Sequence, residues 1–262
     1  MPPVSGHPYR NAWAAIATMH AKEAAIAPPL TRYFQMTVTN APGIDTDARG
    51  TFTGEVAGVG TMVDAARQKA KWAIIRTGAP LGIGSAGTFG PAPLSPFLVS
   101  GVEVLLLHEA TSGHETVVQR RTRTNVAHVV ISDLAVAVRN VAQRSGNGTV
   151  MVRTDMRAHL NPTRMLAIES SARWLALKMA RRCRQCSKPG FGVVDVERGL
   201  PCRDCERSAH LIRAEIQGCS ACDHRERRRE WGPGDRADPA WRSSSNPRPV
   251  TIHPGSADHG AL

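Results

Sequence analysis

Six cysteines in three C-x-x-C pairs, all between residues 183 and 222, restrict this chain more than any other feature. A C-x-x-C turn aims two sulfurs at one spot, and two such turns make the four-thiolate shell of a tetrahedral structural metal. The first two pairs, Cys183/Cys186 and Cys202/Cys205, are separated by fifteen residues. That spacing predicts a zinc ribbon with these four as ligands. A closed shell leaves no position for substrate, so the zinc is expected to hold structure. The segment around it has little apolar core, so the metal is expected to supply its folding free energy. The third pair, Cys219/Cys222, has no cysteine partner downstream. His224 or His210 can complete a second site there, and an incomplete second site is the expectation. No thioredoxin-like context surrounds any pair, which argues against redox use. Metal-binding cysteines fit a reducing compartment. The opening stretch MPPVSGHPYR has no apolar signal region, so the expected location is the cytoplasm.

Upstream of the cysteines, strand and helix patterns alternate. A short apolar run from Trp13 to Ala17 reads as a buried strand, and AKEAAIAPPLTRYF as a helix disturbed at Pro28 and Pro29. QMTVTN alternates as a strand. TMVDAARQKAKWAIIRTG is a helix capped by Thr61 and stopped by Gly78. LGIGS reads as a strand followed by a Gly/Pro-rich loop, AGTFGPAPLSP. VEVLLLHEATSGHETVVQRRTR reads as a β-hairpin turning at TSG. A helix capped by Ser132 and ended by Gly146 follows, then the strand TVMVRTD. The last helix starts at Asn161 as cap with Pro162 in its first position. Its stripe of Met165, Ile168, Ala172, Leu175 and Met179 marks one buried face. No apolar run approaches the roughly 20 residues of a membrane span. The expected fold is α/β: a mixed sheet with flanking helices over 9–181, a zinc ribbon over 182–230 and a disordered tail over 231–262.

Four polar or glycine-rich stretches lie where α/β sheets place ligands. In TMHAKE, Thr18, His20 and Lys22 leave the first strand ahead of a helix, a donor set suited to phosphate. In DTDARGTFTGE, Asp45, Asp47 and Glu55 are hard oxygen ligands suited to magnesium. GSAGTFGPAP offers Gly84, Gly87 and Gly90 but no charge. In TDMRAHLNPTRM, Asp155 ends a strand, Arg157 and His159 follow, and Arg164 lies in the first turn of the last helix. A cation there opposes the helix dipole, so Arg164 serves either an anionic ligand or an internal carboxylate such as Asp155 or Asp47. The formal net charge of +11 suits phosphate-bearing partners, nucleotides or nucleic acid, although an arginine-rich composition alone also produces it.

These stretches resemble a bacterial family of unknown function. Its members carry T-x-H-x-K-E, D-T-D-x-x-G-T-F-T-G-E, S-E-G-S-F-G-P-H-P and T-D-M-R-A-x-x-N-P-T-R-M motifs and a cysteine-rich tail with P-G-F-G. This chain has ATMHAKE, DTDARGTFTGEV, GSAGTFGPAP, TDMRAHLNPTRM and CRQCSKPGFG, and the resemblance runs from about Tyr9 to about Cys222. It departs at Ala86 and Ala92, where the family has glutamate and histidine. It also departs at Arg242 and Ser245, where the family has a fourth C-x-x-C. More distantly, the motif order is similar to inosine-triphosphate pyrophosphatases. That likeness implies phosphate contacts from Thr18, His20 and Lys22 and magnesium on Asp47 or Glu55, while Ala86 removes one carboxylate.

Three functions follow as expectations. The first is binding of a phosphorylated small molecule or nucleotide by Thr18, His20, Lys22, Arg157, His159 and Arg164. Magnesium-dependent phosphoanhydride hydrolysis would then run through Asp45, Asp47, Glu55 and Asp155. The second is nucleic-acid binding by the ribbon and its RERRRE run. The third is a non-catalytic member of the family, consistent with Ala86 and Ala92.

Overall fold

A computed structural model describes residues 6–44, 60–92, 95–123, 134–150, 156–229 and 235–239. Asp45, Asp47, Glu55, Ser132, Asp155, most of the expected strand TVMVRTD and the tail after 239 lie outside these residues. The chain forms two compact units, Met1–Gly192 with Gly218–His224, and Val193–Gln217 with Arg225–Leu262.

The first unit is built on a five-stranded sheet. Its strands are β1 (Trp13–Ile16), β2 (Thr37–Asn40), β3 (Leu81–Ala92), β4 (Ser95–Glu109) and β5 (Glu115–Arg123), in the order β2-β1-β3-β4-β5. β1 runs parallel to β2 and β3, while β3, β4 and β5 are antiparallel neighbours. The sheet is therefore mixed, as a hairpin added to crossover strands requires. The expected loop AGTFGPAPLSP is corrected: most of it belongs to β3 and β4. Gly87 pairs with Glu103, Phe89 with Gly101 and Pro91 with Val99. Pairing to a long partner strand overrides the weak strand propensity of Gly and Pro.

Helices cover both faces. α1 (Glu23–Phe34) and α4 (Pro162–Ala180) cover one, where Ile26, Leu30, Phe34, Ile168 and Leu175 meet Ile16, Ile83, Leu105 and Leu107. α1 runs through Pro28 and Pro29 as one helix, so the packing of its apolar face outweighs two missing backbone donors. α2 (Met62–Thr77) covers the other face with Ala66, Ala70 and Ala73. Its approach is set by glycine: a Cβ on Gly82 or Gly84 would overlap the carbonyl oxygens of Ala70 and Ala66. Thr61 and Asp64 form a capping box, and Gly78 ends the helix at φ +75°. α3 (Leu134–Ala142) is the helix expected after the hairpin. Among the described residues no helix is long and apolar enough to cross a membrane.

The second unit holds a three-stranded sheet of β6 (Gly192–Arg198), β7 (Ile212–Gly218) and β8 (Arg225–Arg229), in the order β6-β7-β8. Leu200, Ala209 and Ala237 are its buried apolar cluster. Glu197 on β6 reaches across to Arg227 on β8 at 2.6 Å and to Arg213 on β7 at 3.9 Å.

Candidate metal centre and buried polar site

Cys183, Cys186, Cys219 and Cys222 bring their sulfurs within 4.8 Å of one another. Cys183 Sγ lies 3.8 Å from Cys222 Sγ, and Cys186 Sγ lies 3.5 Å from Cys219 Sγ. A tetrahedral zinc with bonds of about 2.3 Å separates its sulfurs by about 3.8 Å, whereas a disulfide needs about 2.05 Å. The cluster therefore has the dimensions to hold a metal ion such as zinc. This corrects the expected ligand set: the first C-x-x-C pair joins the third, and Cys202/Cys205 is the pair left over. Linear spacing misled because β6 and β7 carry the chain away and back, so the pair nearer in sequence is not the one that returns.

The thiols are prepared unequally for the metal. Burial works against the Cys183 thiolate, but the backbone N–H groups of Cys186 and Gln185 outweigh it and bring the thiol down to about 7. At Cys222 the His224 backbone N–H favours the thiolate. Burial and the three neighbouring thiols outweigh it and push the thiol up to about 12. Four thiolates in one place need a cation to neutralise them.

Both knuckles are fastened to the β4–β5 hairpin within the first unit. His114 Nε2–H donates to Pro189 O at 2.8 Å, and Lys188 pairs with Glu109 at 3.5 Å. Gly190, at φ +93°, packs where a Cβ would overlap Thr116 Oγ1. Ser220 Oγ–H donates to the Glu115 carbonyl at 2.7 Å. Burial opposes the charge of the Glu115 carboxylate, but hydrogen bonds from Arg67 (2.8 Å) and His108 (3.1 Å) hold its pKa below the usual value.

A second group of polar side chains is buried on the α1/α4 face of the sheet. Lys22, immediately before α1 and 6% exposed, donates from Nζ to Ser85 Oγ at 3.2 Å. Thr18 is buried, and its Oγ1 accepts from His20 N–H at 3.1 Å. His20 is buried and stacks on exposed His159, with centroids 5.2 Å apart and planes at 21°. Arg157 is exposed just before the single 3₁₀ turn Ala158–Leu160. Two residues beyond Ser85 on the same strand face, Gly87 lies opposite Glu103. Glu103 Oε1 accepts from Arg164 Nε at 2.8 Å, with neither side chain exposed.

Arg164 reaches this depth because Asn161 starts α4. The Asn161 side chain accepts from Arg164 N–H at 3.0 Å, and Pro162 follows it. Its guanidinium also donates to Met156 O and lies over the Phe89 ring at 4.8 Å. Of the two roles open to Arg164, the internal carboxylate is the one in place, and it is Glu103, not Asp155 or Asp47. Two residues of this face, Ser85 and Glu103, were not singled out from sequence. Glu103 had a signal: a lone carboxylate in the apolar strand VEVLLL, in phase with Leu105 and Leu107, which face the core. Ala86 has the opposite phase and packs with Ala66, Ala70, Val104 and Leu106 beneath α2.

Residues 132–247 match the family model described as a domain of unknown function, DUF6671, which covers less than half of the chain. No curated protein and no solved structure matches the chain.

Proposed function

We propose that the α/β unit binds a phosphorylated small molecule, with nucleotides the fitting class, beside Lys22, and that the four-thiol cluster is a structural zinc centre. The supporting observation is the convergence of a buried ammonium, the Ser85 and Thr18 hydroxyls and the stacked His20/His159 pair at the start of α1. An ammonium with hydroxyl and imidazole donors at a helix N-terminus is a donor set for phosphate oxygens. Arg164 serves this face indirectly, by holding α4 to the sheet through Glu103. In the fuller form of the proposal, Asp45, Asp47, Glu55 and Asp155 carry magnesium, and Arg157 stabilises charge during phosphoanhydride hydrolysis.

Charge weighs against nucleic-acid binding by the second unit. Residues 193–217 and 225–262 carry eleven arginines and ten carboxylates, a formal +1 of the chain's +11. Two of those arginines, Arg213 and Arg227, lie against Glu197.

The test is a thermal-shift panel of nucleoside mono-, di- and triphosphates and sugar phosphates, with and without magnesium. A ligand at a hundred times its Kd adds about 2.7 kcal/mol, a shift read directly. Lys22→Met is expected to abolish the response, and exposed Lys188→Met to retain it. A panel that stabilises nothing, or a Lys22 variant that responds like the parent, refutes the proposal. Hydrolysis is scored separately by released phosphate, expected to be lost in Asp47→Ala.

A further inference from the structure

Cys202 and Cys205 lie in a turn whose backbone repeats that of Cys183 and Cys186. In the first turn Cys183 N–H donates to Lys188 O and Ser187 N–H to Cys183 O, both at 2.9 Å, and Ser187 has φ +58°. In the second, Cys202 N–H donates to Arg207 O at 2.8 Å, Glu206 N–H donates to Cys202 O at 2.9 Å, and Glu206 has φ +56°. A short antiparallel bridge flanks each turn, Arg182 with Pro189 and Pro201 with Ser208. A left-handed residue other than glycine is uncommon, and here Ser and Glu adopt it at the same place, directly after the second cysteine. The second turn is also held rigidly. Ala237 N–H donates to Pro201 O at 2.8 Å, Arg203 N–H donates to Ala237 O at 3.0 Å, and Cys202 is fully buried.

We infer that Cys202 and Cys205 form half of a second zinc site, completed by the same two cysteines of a second copy of this chain. Zinc in a structural site takes four ligands, and the turn supplies two. The other four cysteines converge on one another, and among the described residues no His, Cys, Asp or Glu joins Cys202 and Cys205 in a group of three. A second copy brings an identical turn, and a two-fold axis through the metal makes the contact self-complementary. The rim carries both signs: Arg203 pairs with Asp204 at 3.6 Å and Asp238 at 3.3 Å, and Arg236 with Glu206 at 3.9 Å. Two such rims can meet arginine against carboxylate. On binding, the four thiols release four protons to solvent and coordinate the metal as thiolates, with no change of oxidation state.

The experiment uses the full chain loaded with zinc, measuring zinc per chain by mass spectrometry and molar mass by sedimentation. The expected result is about three zinc ions per two chains and a dimer. Cys202→Ser/Cys205→Ser is expected to be a monomer with one zinc per chain. One zinc per chain in a wild-type monomer overturns the inference, because the second turn is then empty. Two zinc ions per wild-type monomer also overturns it, because the site is then completed within one chain. A dimer that persists in the double variant does the same. The wild-type count decides the matter even if the variant fails to fold.

Discussion

Replacing Arg164 with Met removes one member of an ion pair in which neither side chain is exposed. Glu103 would keep its depth and lose its cation. Among the described residues its Oε2 already accepts no hydrogen bond, so both oxygens would be left without a donor. Breaking one side of a buried pair costs about 3–5 kcal/mol, a large share of the roughly 5–15 kcal/mol that holds a domain together. With a urea dependence of about 3 kcal/mol per molar, the midpoint should fall by about 1–1.5 M. Glu103→Leu should cost a similar amount by stranding the guanidinium. The double variant, Glu103→Leu with Arg164→Met, removes both charges and should recover most of the loss, since apolar replacement of a buried pair is often neutral or stabilising. Urea unfolding followed by circular dichroism on all four proteins gives the coupling. Either single variant losing less than about 1 kcal/mol, or a double variant no better than the worse single, would refute this account of the polar face.

Stripping the metal should cost at least about 3 kcal/mol, since Cys186 and Cys219 are 33 residues apart and closing a loop of that length carries about that entropy. A melting temperature unchanged by chelator would count against the four-thiol centre. His7 supplies a pH dependence. Its Nε2–H donates to Met179 O at 3.0 Å and its Nδ1 accepts from Tyr9 N–H at 3.2 Å. Burial, helped by Arg182 and opposed by the Met179 carbonyl, lowers its pKa below 6.5. The unfolded chain therefore takes up this proton first. The contribution of His7 is full above pH 6.5 and is lost as pH falls toward the lower folded value. His7→Gln should flatten stability between pH 7 and 5, and an unchanged slope would refute the assignment.

The helices were readable where local chemistry fixed them. Thr61, Gly78, Asn161 and Pro162 stand at the ends where the helices begin and stop, and the α4 stripe is buried except for half-buried Met165. What escaped depended on partners remote in sequence. The β3 extension through Gly87, Gly90 and Pro91 needs β4 beside it, and nothing within those residues announces a strand. The carboxylate for Arg164 lies 61 positions away, so nearer acids appeared better candidates. The thiol grouping failed for the same reason: proximity along the chain stood in for the path of β6 and β7.

That path has a topological consequence. Cys183 and Cys186 precede residue 193, and Cys219 and Cys222 follow residue 217, so a bound metal ties together both ends of the segment Val193–Gln217. The segment becomes a closed ring inserted into the first unit, not a trailing appendage. A protease nick inside the ring leaves two fragments still joined through the metal. Such a nick would pass unseen on a native sizing column and would release a fragment only once the metal is chelated and the strands are denatured.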